Sequence, residues 1–196
     1  GAEMLYVSTG SVFDGTKIEP YTEFDTPNPQ SIYSKSKYEG EKMVERYLHN
    51  YYIVRTGWLF GGGKEDKKFV AKILDIAQTK HEISAVIDKI GSPTYTLDLA
   101  KGIKELIETG SYGLYHMANK GFCTRFECAR KIVEYAGLVD VSVNPVTSAS
   151  FPLPAPRPRM EALRNYHLEL LRRDTLRSWE EALKDYIHWL MGSSEE

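Results

Sequence analysis

The 196-residue sequence predicts an α/β fold with a mostly parallel sheet, and three observations lead there. Short apolar runs of strand length recur along the chain: Met4-Leu5-Tyr6-Val7, Tyr51-Tyr52-Ile53-Val54-Arg55 and Gly113-Leu114-Tyr115-His116-Met117. Between them lie longer segments whose apolar residues return every three or four positions, the period of a half-buried helix. The two kinds of segment alternate, which favours parallel strands joined by right-handed helical crossovers. In such sheets the chemistry gathers beyond the carboxyl ends of the strands, here after Val7 and after Arg55.

The elements follow in order. After the first strand, Ser8-Thr9-Gly10-Ser11 is polar and reads as a strand-end loop. Asp14-Gly15-Thr16 through Asp25-Thr26-Pro27-Asn28-Pro29 is rich in turn formers and reads as an ordered loop. A helix is expected from about Gln30 to Leu48, with Pro29 at its first turn and Tyr33, Lys37, Tyr38, Met43, Val44 and Tyr47 at helical spacing. Beyond the strand at Tyr51–Arg55 and its loop, Phe69, Val70, Ile73, Leu74 and Ile76 mark a second helix. Ser84–Ile87 is a short strand, and a third helix begins near Thr96. Thr124 with Glu127 and Ser178 with Glu181 are capping boxes that open two further helices, the first ending at Gly137. Pro152, Pro154, Pro156 and Pro158 make an extended linker.

Composition narrows the function classes. Lys+Arg 25 against Asp+Glu 27 gives a formal charge of -2, so no basic field points to nucleic acid. No apolar run approaches the ~20 residues of a membrane-spanning helix. Without a secretory leader pattern, a reduced, cytoplasmic protein is expected. Cys123 and Cys128 are read as free thiols. The histidines His49, His81, His116, His167 and His188 show no metal-ligand spacing, so no metal is assigned.

Tyr33 and Lys37 stand four apart and leave one helix face. A phenol with a pKa of ~10 is a poor proton donor at neutral pH, but a neighbouring ammonium favours its phenolate form. A hydroxyl from the strand-end loop, Thr9 or Ser8, completes a set able to protonate a carbonyl oxygen while a hydride reaches the carbon. On spacing alone the pair is commonplace; its surroundings make it specific.

Those surroundings are Ser8-Thr9-Gly10-Ser11-Val12-Phe13-Asp14-Gly15, Pro20-Tyr21-Thr22-Glu23, Tyr33-Ser34-Lys35-Ser36-Lys37, Glu39-Gly40-Glu41, Val54-Arg55-Thr56-Gly57-Trp58-Leu59-Phe60-Gly61, Gly91-Ser92-Pro93-Thr94-Tyr95-Thr96, Gly113-Leu114-Tyr115-His116 and Arg157-Pro158. In this order, over nearly the whole chain, they resemble the extended short-chain dehydrogenase/reductases, and among them the dTDP-4-dehydrorhamnose reductases. The resemblance implies a partial Rossmann-like, doubly wound sheet with a small C-terminal substrate-binding lobe. Residues 1–110 would carry the main sheet and the Tyr-Lys helix. Residues 111–196 would form mainly the lobe, with some segments returning to the sheet.

The resemblance also implies NADPH- or NADH-dependent reduction of the 4-keto group of a dTDP-linked 6-deoxyhexose, giving dTDP-rhamnose for polysaccharide. It makes Tyr33 the general acid, Lys37 its electrostatic partner, and Thr9 the hydroxyl that polarises the keto oxygen. Ser8, Tyr33 and Lys37 would hold the cofactor; Ser11, Trp58 and Arg157 would hold the substrate. A homodimer is compatible with it. Gly10 and Ser11 replace the family's usual Asp-Tyr, and Lys89 stands where Gln is frequent. The family's glycine-rich phosphate loop is not among these residues, and Gly61-Gly62-Gly63-Lys64 does not replace it. The front of the protein is therefore expected to be missing, and the isolated chain to be inactive. Two other readings share the pattern: a non-catalytic regulatory subunit of the methionine adenosyltransferase β type, and a nucleotide-sugar epimerase or dehydratase.

Overall fold

Tyr51–Thr56 is the strand around which the molecule is built: from Tyr52 onward every residue is buried, as a strand flanked on both edges and both faces must be. The computed structural model describes residues 2–192. The chain runs β1 (Met4–Thr9), α1 (Ile32–Tyr47), β2 (Tyr51–Thr56), β3 (Leu59–Phe60), α2 (Phe69–Thr79), β4 (Glu82–Val86), β5 (Ile90–Gly91), β6 (Thr94–Tyr95), α3 (Thr96–Glu108), β7 (Gly113–His116), β8 (Cys123–Thr124), α4 (Arg125–Tyr135), β9 (Ser142–Val146), α5 (Tyr166–Leu170) and α6 (Trp179–Gly192).

Strands β1, β2 and β7 form a parallel sheet in the order β1-β2-β7. The register runs from Met4 opposite Tyr51 to Thr9 opposite Thr56, and from Tyr52 opposite Gly113 to Arg55 opposite His116. Side chains alternate across the sheet. Tyr52 and Val54 pack with Leu99 and Leu106 of α3 and with Tyr115, Met117, Leu168 and Leu176. Arg55 points the other way, to Glu41 on α1. Helices therefore cover both faces, the doubly wound arrangement.

A second layer gathers α2, α4 and α6 around one apolar cluster that includes Ile73, Leu74, Ile83, Ile132, Leu183 and Tyr186. It draws on residues from both sides of residue 110. Strand β4 there pairs in parallel with β9, from Glu82 opposite Ser142 to Val86 opposite Val146. Strand β9 is a finding the sequence concealed: Asn144 and Pro145 discourage a strand, and Pro is tolerated because only one edge of β9 is paired. A third cluster buries the loop after β1, where Phe13 stacks on Tyr21 with ring centroids 4.1 Å apart.

Helix starts follow their caps. Both capping boxes form, Thr124 with Glu127 and Ser178 with Glu181, and Gly137 closes α4 at φ 69°. Helix α1 differs from expectation at its start. Ser31 is the cap, accepting from the amide of Ser34, so the first turn begins at Ile32 and Pro29 lies ahead of it. Its apolar residues also differ: Ile32, Met43 and Tyr47 are exposed, whereas Ser34, Glu41 and Val44 are buried. No helix among the described residues is long and apolar enough to cross a membrane.

His116 ends β7 in full burial, its Nδ1 3.1 Å from the carbonyl oxygen of Tyr21. Burial, reinforced by the Arg55 charge alongside, lowers its pKa to about 3. The unfolded imidazole titrates near ~6.5, so between these values the unfolded chain binds the extra proton and stability falls as pH falls. The expected loss from above pH ~6.5 down to pH ~3 is up to about 5 kcal/mol. Urea unfolding across this range should show the slope, and His116→Asn should flatten it.

Candidate active site

The carboxyl ends of β1 and β2 open into a cleft of about 1610 Å³, and all seven residues singled out from the sequence line it: Ser8, Thr9, Ser11, Tyr33, Lys37, Trp58 and Arg157.

Helix α1 supplies one wall. Tyr33, Lys37 and Glu41 follow at intervals of four and form one stripe along it. Glu41 is the buried end of that stripe. Its carboxylate accepts from Arg55 Nε at 3.0 Å and Nη2 at 2.6 Å, and from the Ser8 hydroxyl. One carboxylate thus joins α1 to β1 and β2. With its buried end anchored, the other end of the stripe lies over the strand ends, and Tyr33, about half exposed, reaches the cleft.

Tyr6 on β1 supports the same helix. Its hydroxyl donates to the carbonyl of Lys37 at 3.1 Å, and the Lys37 ammonium lies 4.3 Å from the centre of its ring, a cation–π arrangement. This approach requires Gly40, where a Cβ would fall 2.2 Å from the Tyr6 hydroxyl oxygen. Among the described residues no carboxylate pairs with Lys37, so its charge stays available to the cleft.

The strand-end hydroxyls divide their work. Thr9 Oγ1 accepts from the amide of Ser11 at 3.2 Å, which leaves its own proton free to be donated. Ser8 lines the cleft, and its hydroxyl is buried and donates to Glu41, so the side chain braces the helix.

The opposite wall is built by Trp58 and its partners. Trp58 holds φ 45°, a left-handed conformation unusual for a bulky residue. Its Nε1 donates to Glu161 at 3.0 Å, and the other oxygen of Glu161 accepts from the Ser11 hydroxyl. The Arg125 guanidinium stands 3.4 Å from the indole centre and 4.5 Å from the Phe69 ring. Burial pulls Arg125 below its ordinary value, with Cys128 and Glu161 pulling the other way. The indole rests on Gly91, where a Cβ would come within 2.2 Å of Cε2. Arg157 sits exposed in the proline-rich segment, its carbonyl accepting from Lys89 at 2.7 Å.

Sequence reasoning missed Glu161, Arg125, Tyr6 and the Glu41–Arg55 pair as site-building residues. Glu41 carried a signal, being the next four-residue step after Tyr33 and Lys37. Glu161 carried none: it is 150 positions from Ser11 and 103 from Trp58. Cys123 and Cys128 are buried and free.

The sequence model of the RmlD substrate binding domain matches residues 1–191. The chain is 39% identical to a dTDP-4-dehydrorhamnose reductase of Mycobacterium tuberculosis, covering 93% of this chain and 62% of that protein. It is 37% identical to the spore coat polysaccharide biosynthesis protein SpsK of Bacillus subtilis, covering 95% and 64%. Thus it spans less than two thirds of these relatives. The crystal structure of a dTDP-4-dehydrorhamnose reductase from Clostridium acetobutylicum superposes with a TM-score of 0.93 at 44% identity, covering 97% of this chain and 67% of that one. The Bacillus anthracis enzyme in complex with NADP gives 0.89 at 42%, covering 94% and 65%.

Removing one partner of the buried pair should cost more than any surface change. Glu41→Ala leaves Arg55 charged and uncompensated, for an expected loss of about 3–5 kcal/mol and a melting temperature lower by roughly 10 °C. Adding Arg55→Met should recover part of it. Thermal unfolding followed by circular dichroism checks both.

Proposed function

We infer what the protein does from one premise: the chain belongs to the RmlD substrate binding domain family. On that premise the protein reduces the 4-keto group of a dTDP-linked 6-deoxyhexose with NADPH or NADH, a step toward dTDP-rhamnose, in the cytoplasm. The observation that supports it most is the convergence of Thr9, Tyr33 and Lys37 on one cleft, facing a wall made by Trp58 and Arg125. The reductase from Bacillus anthracis, 42% identical, carries NADP in its structure.

The residues present suit the nicotinamide end of such a cofactor: the phenol of Tyr33 and the ammonium of Lys37 have no protein hydrogen-bond partner among the described residues and can both meet a ribose. When bound, the reduced nicotinamide supplies a hydride to the keto carbon. Tyr33 donates its phenolic proton to the keto oxygen, which becomes the new hydroxyl. Lys37, one helical turn away, stabilises the phenolate left behind. Thr9 donates a hydrogen bond to the same oxygen as charge gathers there. Trp58 gives the sugar an apolar surface, Ser11 contributes at its edge, and Arg157 offers a charge to the diphosphate.

The test is turnover by the full-length protein. Tyr33→Phe should lower the rate of NADPH oxidation with the 4-keto sugar by about 10²–10⁴-fold, the usual worth of a positioned acid. Unchanged turnover in that variant would remove the mechanism.

A further inference from the structure

Glu161 has no part in the proton transfer, yet it joins two loops of the cleft wall. It reaches the cleft from the segment that follows the proline-rich stretch. One oxygen takes the hydroxyl proton of Ser11, from the loop after β1, and the other takes the indole N–H of Trp58, from the loop after β2. We propose that Glu161 is the positioning residue of the substrate wall, holding Trp58 in its left-handed, Gly91-seated pose so that the indole keeps one fixed orientation in the wall that meets the sugar. This rests on the reductase reading above.

The physical case has three parts. An indole has a single donor, so its partner decides where the ring edge points. Trp58 alone would relax, because a bulky residue at φ 45° is strained and persists only where its surroundings over-determine it. Those surroundings are incomplete without the carboxylate: Gly91 provides a flat seat and Arg125 a cation near the ring, and neither sets the rotation of the indole in its own plane. The indole N–H can only donate, and Glu161 gives it one carboxylate oxygen while the other takes the Ser11 hydroxyl.

Glu161→Leu removes both carboxylate oxygens and puts no acceptor in their place. The indole N–H, which can only donate, then goes unmatched, a penalty that corresponds to about tenfold. In the full-length protein the KM for the 4-keto sugar should rise by about that factor, kcat should change less than about threefold, and the KM for NADPH should stay put. In a Trp58→Phe background the same substitution should change the sugar KM by less than about twofold, because its effect passes through the indole.

Equal effects in both backgrounds, or an unchanged sugar KM, would overturn the proposal. A second readout needs no turnover. The fluorescence of Trp58, taken as the difference between a protein and its Trp58→Phe counterpart, should shift in Glu161→Leu, and a difference spectrum indistinguishable from that of wild type would overturn the coupling. A wild-type protein that fails to consume NADPH with the sugar would instead retire the reductase reading, while the spectrum still decides whether Glu161 holds the indole.

Discussion

The buried contact of Glu41 with Arg55 and Ser8 is the constraint on which the site depends. Two charges taken out of water are costly, and the cost is met only where geometry is tight and the remaining lone pairs are used. Here the guanidinium is engaged through two nitrogens, and a serine hydroxyl fills a further position on the carboxylate. Such a contact adds little to net stability compared with an apolar pair of the same volume. What it contributes is register: a helix resting on a sheet through apolar contacts alone can slide or roll, and one tied through a bidentate ion pair cannot. Because Tyr33 and Lys37 lie on the same stripe, fixing Glu41 fixes them.

The two walls of the cleft are built by different physics. The α1 wall is a regular helix whose cleft-lining side chains are spaced by the helical repeat and held by one anchor. The wall around Trp58 is made of loops, and loops need many small constraints to hold one geometry. A left-handed tryptophan, a glycine against it, a cation over its ring and a shared carboxylate together do what a helix does by repetition. The first wall is set by the helical repeat; the second is set by contacts between segments distant in the chain.

The sequence and the structure agree where local rules dominate. Strands β1, β2 and β7, the capping boxes at Thr124 and Ser178, and the stop at Gly137 were all legible, because each rests on a few neighbouring residues. The placement of Tyr33, Lys37 and Thr9 in one cleft was legible as well, since topology sends strand ends and the crossover helix to the same side. Agreement failed where distant segments met. Strand β9 holds a proline and exists because β4 offers it an edge. The start of α1 moved to Ile32 because Ser31 outcompetes Pro29 as a boundary. The Ser8 hydroxyl turned inward because a carboxylate lay within reach.

By itself the sequence determined the chemistry on offer: a phenol and an ammonium one turn apart, a hydroxyl at a strand end, and an alternation of elements that brings them to one edge of a parallel sheet. Those are properties of spacing, and spacing is written in the chain. Only the tertiary structure decided which groups face the cleft and which are spent in holding it. Glu161 meets Ser11 and Trp58 across more than a hundred residues, and Lys37 settles over Tyr6 because Gly40 lets the helix close on the strand. Contacts of that kind depend on how packed surfaces fit in space, for which periodicity along the chain carries no signal.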